Sequence, residues 1–84
     1  MRITLTLFAT LDGHLPPEAR SRNRIDVDVE PGTTVLDVIR RHRIPEALCA
    51  IVLIDGRWVP IPDRATRALA ENEVLAIWPP VAGG

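Results

Sequence analysis

The sequence lacks lysine and tyrosine altogether, and it holds one cysteine, one phenylalanine and two tryptophans. Cys49 has no second cysteine to pair with, which excludes an internal disulfide and a zinc site built on cysteine spacing. No stretch reaches the roughly 20 apolar residues of a membrane helix, and residues 1–7 alternate instead of forming the apolar run of a signal peptide. We therefore expect a cytoplasmic protein that makes no contact with a membrane.

Chain length and net charge further limit the classes of function that the chain can have. A chain of 84 residues has room for one domain with one core, and it leaves little space for a cleft built from several loops. The formal net charge of −1 gives no general attraction to nucleic acid or anionic lipid. We expect no nucleic-acid partner and no multi-residue active site.

All ten basic residues are arginine. A GC-rich coding sequence, which favours Arg, Ala and Pro together, explains this most simply. A second explanation is protective, because an activated C-terminus would find no side-chain amine on its own chain. The arginines at 20–24 and 40–43 predict solvated faces, with an acidic patch on a partner as the alternative.

The first third of the chain predicts a β-hairpin. Residues 2–7 alternate apolar and polar side chains, and Ile25, Val27 and Val29 alternate with acidic residues, as in two half-buried strands. Glycine and prolines within residues 12–17 predict a turn and a loop between these strands. Because the strands are close in sequence, we expect them to pair antiparallel.

One short helix is predicted after this hairpin. Thr34 can cap a free backbone N–H, and Asp37, three residues later, complements the helix N-terminus. Pro45 stops the helix. Four residues fall on one face at helical spacing: Val35, Val38, Ile39 and His42.

The second half of the chain predicts three more strands. Residues 50–54 form a continuous apolar run typical of a buried strand, and Asp55-Gly56 predicts a tight turn into a short edge strand at 58–59. Leu69 is expected to reach the core from an irregular turn, and residues 73–78 form the last strand. The fold class is therefore α+β, a β-grasp (ubiquitin-like) domain in which a mixed sheet of four to five strands packs on one helix.

Few side chains have the type and spacing that would suggest a metal site or a catalytic site. His14 and His42 have no partners at metal-ligand spacing, and Cys49 is expected to be an inert, half-buried thiol. The sequence has no nucleophile elbow and no glycine-rich phosphate loop. We expect no metal site and no independent side-chain active site.

The end of the chain is the exception. Two prolines without backbone donors extend the chain away from the last strand, and two glycines without side chains follow. Such a tail suits a narrow channel in another protein, and its terminal carboxylate would react as an acyl group once activated. We therefore divide the chain into a β-grasp domain at 1–78 and an extended tail at 79–84.

This ending resembles a known family. Its last eight residues are similar to the ending of the MoaD branch of the MoaD/ThiS sulfur carriers: Ile77-Trp78-Pro79-Pro80-Val81-Ala82-Gly83-Gly84. The strand-to-helix junction at 29–37 and the hairpin at 54–57 also resemble the family, although many β-grasp proteins share them. The resemblance implies that Gly84 is the reactive residue. It also implies that Trp78, Pro79, Pro80, Val81, Ala82 and Gly83 bind the partner.

The resemblance implies that the chain works with several partner proteins in succession. A MoeB/ThiF-like activating enzyme would use ATP and magnesium to adenylate Gly84, and a persulfide donor would convert the adenylate to a thiocarboxylate. The carrier itself would bind no cofactor. It would deliver the sulfur to the molybdopterin precursor as the small subunit, or protein co-substrate, of a synthase with a MoaE-like large subunit.

Two departures leave the pathway open. The turn at 71–73 reads Glu-Asn-Glu where the family usually has Gly-Asp-Glu, and the short stretch from His42 to Ile51 is more like the ThiS branch. A ThiS-like carrier for thiamine thiazole synthesis is therefore one alternative. A ubiquitin-like protein modifier is another, and a plain β-grasp interaction module is a third.

Overall fold

Residues 1–80 are described by the computed structural model, in which one mixed sheet of five strands packs against one α-helix. The elements in chain order are β1 (Arg2–Leu7), β2 (Arg24–Asp28), α1 (Val35–Arg41), β3 (Ile51–Ile54), β4 (Arg57–Trp58) and β5 (Val74–Trp78). The strand order is β2-β1-β5-β3-β4, with β1 and β5 parallel at the centre and the other pairs antiparallel. The predicted β-grasp architecture is confirmed.

One face of the sheet supplies most of the core. In β1 the apolar residues Ile3, Leu5 and Leu7 are almost fully buried, while the threonines between them are half-buried on the opposite face. Leu75 and Ile77 of β5 lie beside them and are also fully buried. This alternation follows from the period of two in an extended chain.

Helix α1 begins as predicted, with a capping box. The Thr34 hydroxyl accepts from the Asp37 N–H at 3.1 Å, and the Asp37 carboxylate accepts from the Thr34 N–H at 2.9 Å. The hydrogen bond from the Thr34 N–H, with a smaller contribution from the Thr34 hydroxyl, lowers the pKa of Asp37, because it stabilises the charged carboxylate. His42 follows the helix and donates from Nδ1 to the Val38 carbonyl at 3.0 Å. None of the helices between residues 1 and 80 is long and apolar enough to cross a membrane.

The predicted loop between β1 and β2 is more ordered than the sequence suggested. It contains two 3₁₀ helices, Ala9–His14 and Pro17–Arg22. Their apolar residues Leu11, Leu15 and Ala19 are buried. The glycine and prolines limit helix length here, but the apolar residues still anchor the segment to the core.

Strand β3 corrects another expectation. The apolar run at 50–54 predicted a strand buried on both faces, but Ile51 is 40% exposed and Leu53 is only half-buried. Val52 and Ile54 alone face the core. With the helix on one side only, the second face of the sheet remains open and carries apolar side chains.

The turn between β3 and β4 and the turn before β5 are among the places that use left-handed backbone. Asp55 and Gly56 have φ angles of 49° and 83° and join β3 to β4, as the Asp-Gly signal predicted. Asn72 has φ 67° in the turn before β5, and its N–H donates to the Arg2 carbonyl at 2.8 Å. Asparagine tolerates this conformation better than other residues with a Cβ, which explains how the turn forms without glycine.

Candidate functional site

Strand β5 ends at Trp78, where the predicted tail begins. Trp78 lies opposite Ile51 of β3, and the Ala50 N–H donates to the Trp78 carbonyl at 3.0 Å. This bond lies at the end of the β3–β5 ladder. The tail therefore starts from a point fixed on the central strand of the sheet.

An aromatic stack covers this point. The rings of Phe8 and Trp78 are parallel to within 8°, with centroids 4.1 Å apart. The Phe8 N–H donates to the Ile77 carbonyl at 3.1 Å, which brings the end of β1 beside the end of β5. Such a pair contributes about 0.5–1.5 kcal/mol beyond the apolar area it buries. Phe8 was not among the predicted site residues, although it continues the series of outward-facing residues in β1.

The prolines continue directly from this stack. Pro79 is half-buried and Pro80 is exposed. Neither has a backbone N–H, so the chain cannot extend the ladder with β3 beyond Trp78. The other predicted site residues, Val81, Ala82, Gly83 and Gly84, lie outside the residues that the structure describes, and their roles stay predictions.

An apolar surface surrounds the start of the tail. It lies on the face of the sheet opposite α1 and consists of Phe8, Ile51, Leu53, Ala76 and Trp78, which we call the outer apolar face. Every member is exposed or half-buried. Exposed apolar surface that borders a functional segment is typical of a docking site for another protein.

The titratable side chains of residues 1–80 do not suggest a second candidate site. Among residues 1–80, no group of three or more His, Cys, Asp or Glu side chains is placed to hold a metal ion. Cys49 is 3% exposed, and burial raises the pKa of its thiol, although the charge of Arg64 acts in the opposite direction. A buried, protonated thiol is a poor nucleophile. This agrees with the inert thiol expected from the sequence.

A cleft lies beside the start of β5, at the opposite end of the strand from the tail. It has a volume of about 550 Å³ and is lined in part by Asp55, Trp58, Arg67 and Glu73. The Arg67 guanidinium donates to both carboxylate oxygens of Glu73, at 2.7 and 3.3 Å. These bonds lower the pKa of Glu73. Asp55, another charged residue of this cleft, accepts a hydrogen bond from the Val74 N–H at 2.9 Å.

Arg64 is a buried cation that the sequence did not reveal. It is 5% exposed and lies just beyond the 3₁₀ helix Ile61–Asp63. Burial lowers its pKa from the ordinary value. No local pattern distinguishes it from the other nine arginines, because its burial depends on contacts distant in sequence. Its Nη1 donates to the Cys49 carbonyl, one peptide unit from the Trp78 carbonyl where the predicted tail starts.

Comparison with known proteins supports the fold. No protein-family model matches the sequence, and no curated protein matches it. Among solved structures, the solution structure of the Haloferax volcanii HVO 2177 protein has a TM-score of 0.76 and 29% sequence identity, covering all of this chain and 87% of that one. The chain has a ubiquitin-like β-grasp fold.

Two further structures share this fold. The crystal structure of SAMP1, the small archaeal modifier protein 1 of H. volcanii, has a TM-score of 0.67 and 24% identity over the whole of both chains. A chain in the complex of subunits 1 and 2 of the molybdopterin-converting factor from Helicobacter pylori has a TM-score of 0.60 and 12% identity, also over both whole chains. At these identities the likeness concerns the fold, which both a modifier and a converting-factor subunit adopt.

Proposed function

We propose that this chain is a sulfur carrier, in which a β-grasp body at 1–78 presents a tail at 79–84 whose Gly84 carboxylate carries the sulfur. The observation that carries the proposal is the junction at Trp78. There the central strand ends in an aromatic stack, two prolines follow, and an apolar surface lies open around them. No other place within residues 1–80 combines a fixed exit point with a docking surface.

The chemistry takes place on the tail in balanced steps. The Gly84 carboxylate attacks the α-phosphorus of ATP, pyrophosphate leaves, and an acyl-adenylate forms. The terminal sulfur of a persulfide then displaces AMP and gives an acyl disulfide. A thiol attacks the donor's sulfur atom, a disulfide leaves, and the thiocarboxylate remains on Gly84. ATP and magnesium belong to the activating enzyme, and the carrier binds no cofactor.

The outer apolar face supports the proposed partners. A MoeB/ThiF-like activating enzyme would cover Trp78 and Ile51 while Val81, Ala82 and Gly83 pass through a narrow channel to the nucleotide. A MoaE-like synthase subunit would use the same face when the sulfur is delivered. The H. pylori neighbour is itself a complex of two subunits, which supports a partner of this kind.

The molybdopterin precursor is the proposed sulfur acceptor. The support is the Pro-Pro-Val-Ala-Gly-Gly ending together with a fold shared with a molybdopterin-converting factor subunit. This chain would then be the small subunit of molybdopterin synthase. A ThiS-like carrier for thiazole synthesis uses the same activation steps and differs only in the acceptor.

A protein modifier is the second candidate. The observation that favours it is the fold shared with SAMP1 over the whole of both chains. In this case the same acyl-adenylate would be transferred to an amine on another protein. The body, the junction and the activation step are common to both candidates, so only the fate of the activated tail separates them.

Intact-mass spectrometry separates the two candidates. The chain is incubated with a MoeB/ThiF-like enzyme, ATP, magnesium and a persulfide donor, and its mass is followed. A sulfur carrier gains one sulfur in place of one oxygen, and the gain disappears when Gly83-Gly84 is deleted. Adducts to other proteins with no thiocarboxylate would favour the modifier. Neither product, from a chain that the enzyme demonstrably adenylates, would contradict both.

A further inference from the structure

Arg64 has three neighbours that hold its guanidinium in place. Nη1 donates to the Cys49 carbonyl at 2.6 Å, and Nε donates to the Val59 carbonyl at 3.3 Å. The Trp58 ring lies 6.0 Å from the guanidinium carbon, near the limit of a cation–π contact. Nη2 is buried and has no hydrogen-bond partner within residues 1–80. One donor of a fixed, buried cation is therefore unused.

No carboxylate in the described part of the chain pairs with this cation. Glu46 lines the same pocket as Arg64, but its carboxylate pairs with Arg40 at 3.4 Å, on the surface. An arginine is rarely buried without a counter-ion, because removing a charge from water costs several kcal/mol. Two carbonyls and one aromatic ring compensate the Arg64 charge in part only.

A small pocket adjoins the cation. Its volume is about 100 Å³, and Leu36, Ile39 and Ile61 form apolar walls around Arg64 and Cys49. Ile61 is 73% exposed, so little packing holds its side chain over the pocket. Leu48, next to Cys49 in the chain, is also exposed. A buried cation within an exposed apolar rim matches the usual form of a pocket that receives one charged group.

We propose that the pocket at Arg64 binds a carboxylate, either from a small organic acid or from an acidic side chain of a partner protein. The apolar walls accept a short aliphatic stem, and the planar guanidinium presents Nη2 to one carboxylate oxygen. The pocket is too small for a phosphate ester with its organic group. The site lies beside α1 and the 3₁₀ helix Ile61–Asp63. The Cys49–Ala50 peptide unit lies between Arg64 and the start of the tail, because its N–H donates to the Trp78 carbonyl. No step of the proposed sulfur chemistry uses this pocket.

Nuclear magnetic resonance of the full chain tests this site. The ¹H–¹⁵N signals of Arg64 Nε and the Trp58 indole are followed while sodium acetate is added, against sodium chloride at the same ionic strength. We expect a saturable shift with acetate, with a dissociation constant in roughly the millimolar range. The absence of saturation, or an equal response to chloride, would overturn the proposal.

Pocket variants make the test specific. Ala65 lines the pocket, and Ala65→Leu enlarges the side chain there while keeping Arg64, so it should weaken acetate binding about tenfold or more. Ala70→Leu makes the same change at an exposed site outside the pocket and should bind acetate as the native chain does. An unchanged titration of Ala65→Leu would reject the site even if Arg64→Met failed to fold.

Two further comparisons identify the occupant. N-acetylglutamate amide has one side-chain carboxylate, and N-acetylglutamine amide is its neutral control. Binding of the first but not the second would assign the pocket to an acidic side chain, whereas binding of acetate alone would assign it to a small acid. Glu46→Gln provides an internal check, because a shift of Arg64 Nε without added ligand would mean that Glu46 already fills the site. That result would also overturn the proposal.

Discussion

The two ends of strand β5 differ in how many of their polar and apolar groups have partners within the chain. At the start, the Val74 N–H donates to the Asp55 carboxylate at 2.9 Å, and the Asp55 N–H donates to the Val74 carbonyl at 3.0 Å. Glu73 is held by Arg67. At the other end, Trp78 has an aromatic neighbour on one side and exposed Ile51 on another.

This difference indicates where we expect another protein to bind. Polar groups at the start of β5 find partners in nearby turns, so that end adds stability. Apolar groups at the exit keep part of their surface in water, which costs free energy that another protein can recover on binding. We therefore expect changes at the Trp78 end of β5 to affect partner binding. We expect changes at the Glu73 end to affect stability, through pH and through the residues of the turn.

The largest effect is expected in the tail. Gly83→Ala adds a Cβ where the partner's channel should enclose the chain, and we expect sulfur loading of Gly84 to slow about 10²-fold. Gly13→Ala is the matched control, because a Cβ at Gly13 meets no atom within 4 Å. Initial rates from intact-mass spectra measure both. Equal rates for the two variants would mean that no narrow channel encloses the tail at Gly83, which would contradict the special role of the tail.

Trp78→Ala should affect both stability and binding. It removes the stack with Phe8 and half-buried apolar area, so we expect a loss of about 2 kcal/mol in the free energy of unfolding. We also expect the KM of the activating enzyme for this carrier to rise about tenfold, because the outer apolar face loses its central member. Urea unfolding and steady-state kinetics measure the two effects.

The control for Trp78→Ala is a change at the other end of the same strand. Glu73→Gln should leave the KM for the carrier unchanged, because its partner Arg67 and the surrounding cleft lie away from the tail. If Glu73→Gln raised that KM as much as Trp78→Ala does, the docking surface would extend over the whole strand.

The turn before β5 gives a smaller effect on stability alone. Asn72 has φ 67°, so Asn72→Val should cost about 1–2 kcal/mol, whereas Asn72→Gly should stay within about 0.5 kcal/mol of the native chain. Ala70→Val, at an exposed residue without a positive φ, is the control for the added side chain. Thermal unfolding measures all three. An unaffected Asn72→Val would mean that the turn does not require left-handed backbone.

The smallest effect is the pH dependence of Glu73. The pKa of Glu73 is lowered first by the hydrogen bonds from Arg67, so its stabilising effect is fully present above the ordinary glutamate pKa. That effect is lost as pH falls below the ordinary value and through the lowered one. We expect Glu73→Gln to cost about 1 kcal/mol at neutral pH and less in acid. Urea unfolding at pH 7 and pH 3 measures the difference, with Glu18→Gln as an exposed control.

Most of the fold was predictable because its elements are short and strongly patterned. The alternation in β1 and β2, the capping box at Thr34 and the Asp-Gly turn each indicate one structure. The two 3₁₀ helices were missed because glycine and prolines concealed the buried Leu11 and Leu15. The exposure of Ile51 was missed because an apolar run does not show which face of a sheet stays open.

The site was predictable in part. The Trp-Pro-Pro-Val-Ala-Gly-Gly ending predicts the tail from sequence alone, and the structure adds the Phe8 stack and the open apolar face at its start. Arg64 could not be found in advance. Its burial depends on carbonyls of Cys49 and Val59, which only the folded chain brings together.

The most direct test of the central claim is to locate the transferred sulfur by fragmenting the intact loaded chain in the mass spectrometer. Cys49 is the other group on this chain that could take up sulfur, as a persulfide. We predict that the added sulfur appears in fragments containing Gly84 and that Cys49→Ser loads normally. Sulfur found on fragments containing Cys49 and absent from those ending at Gly84 would contradict the account.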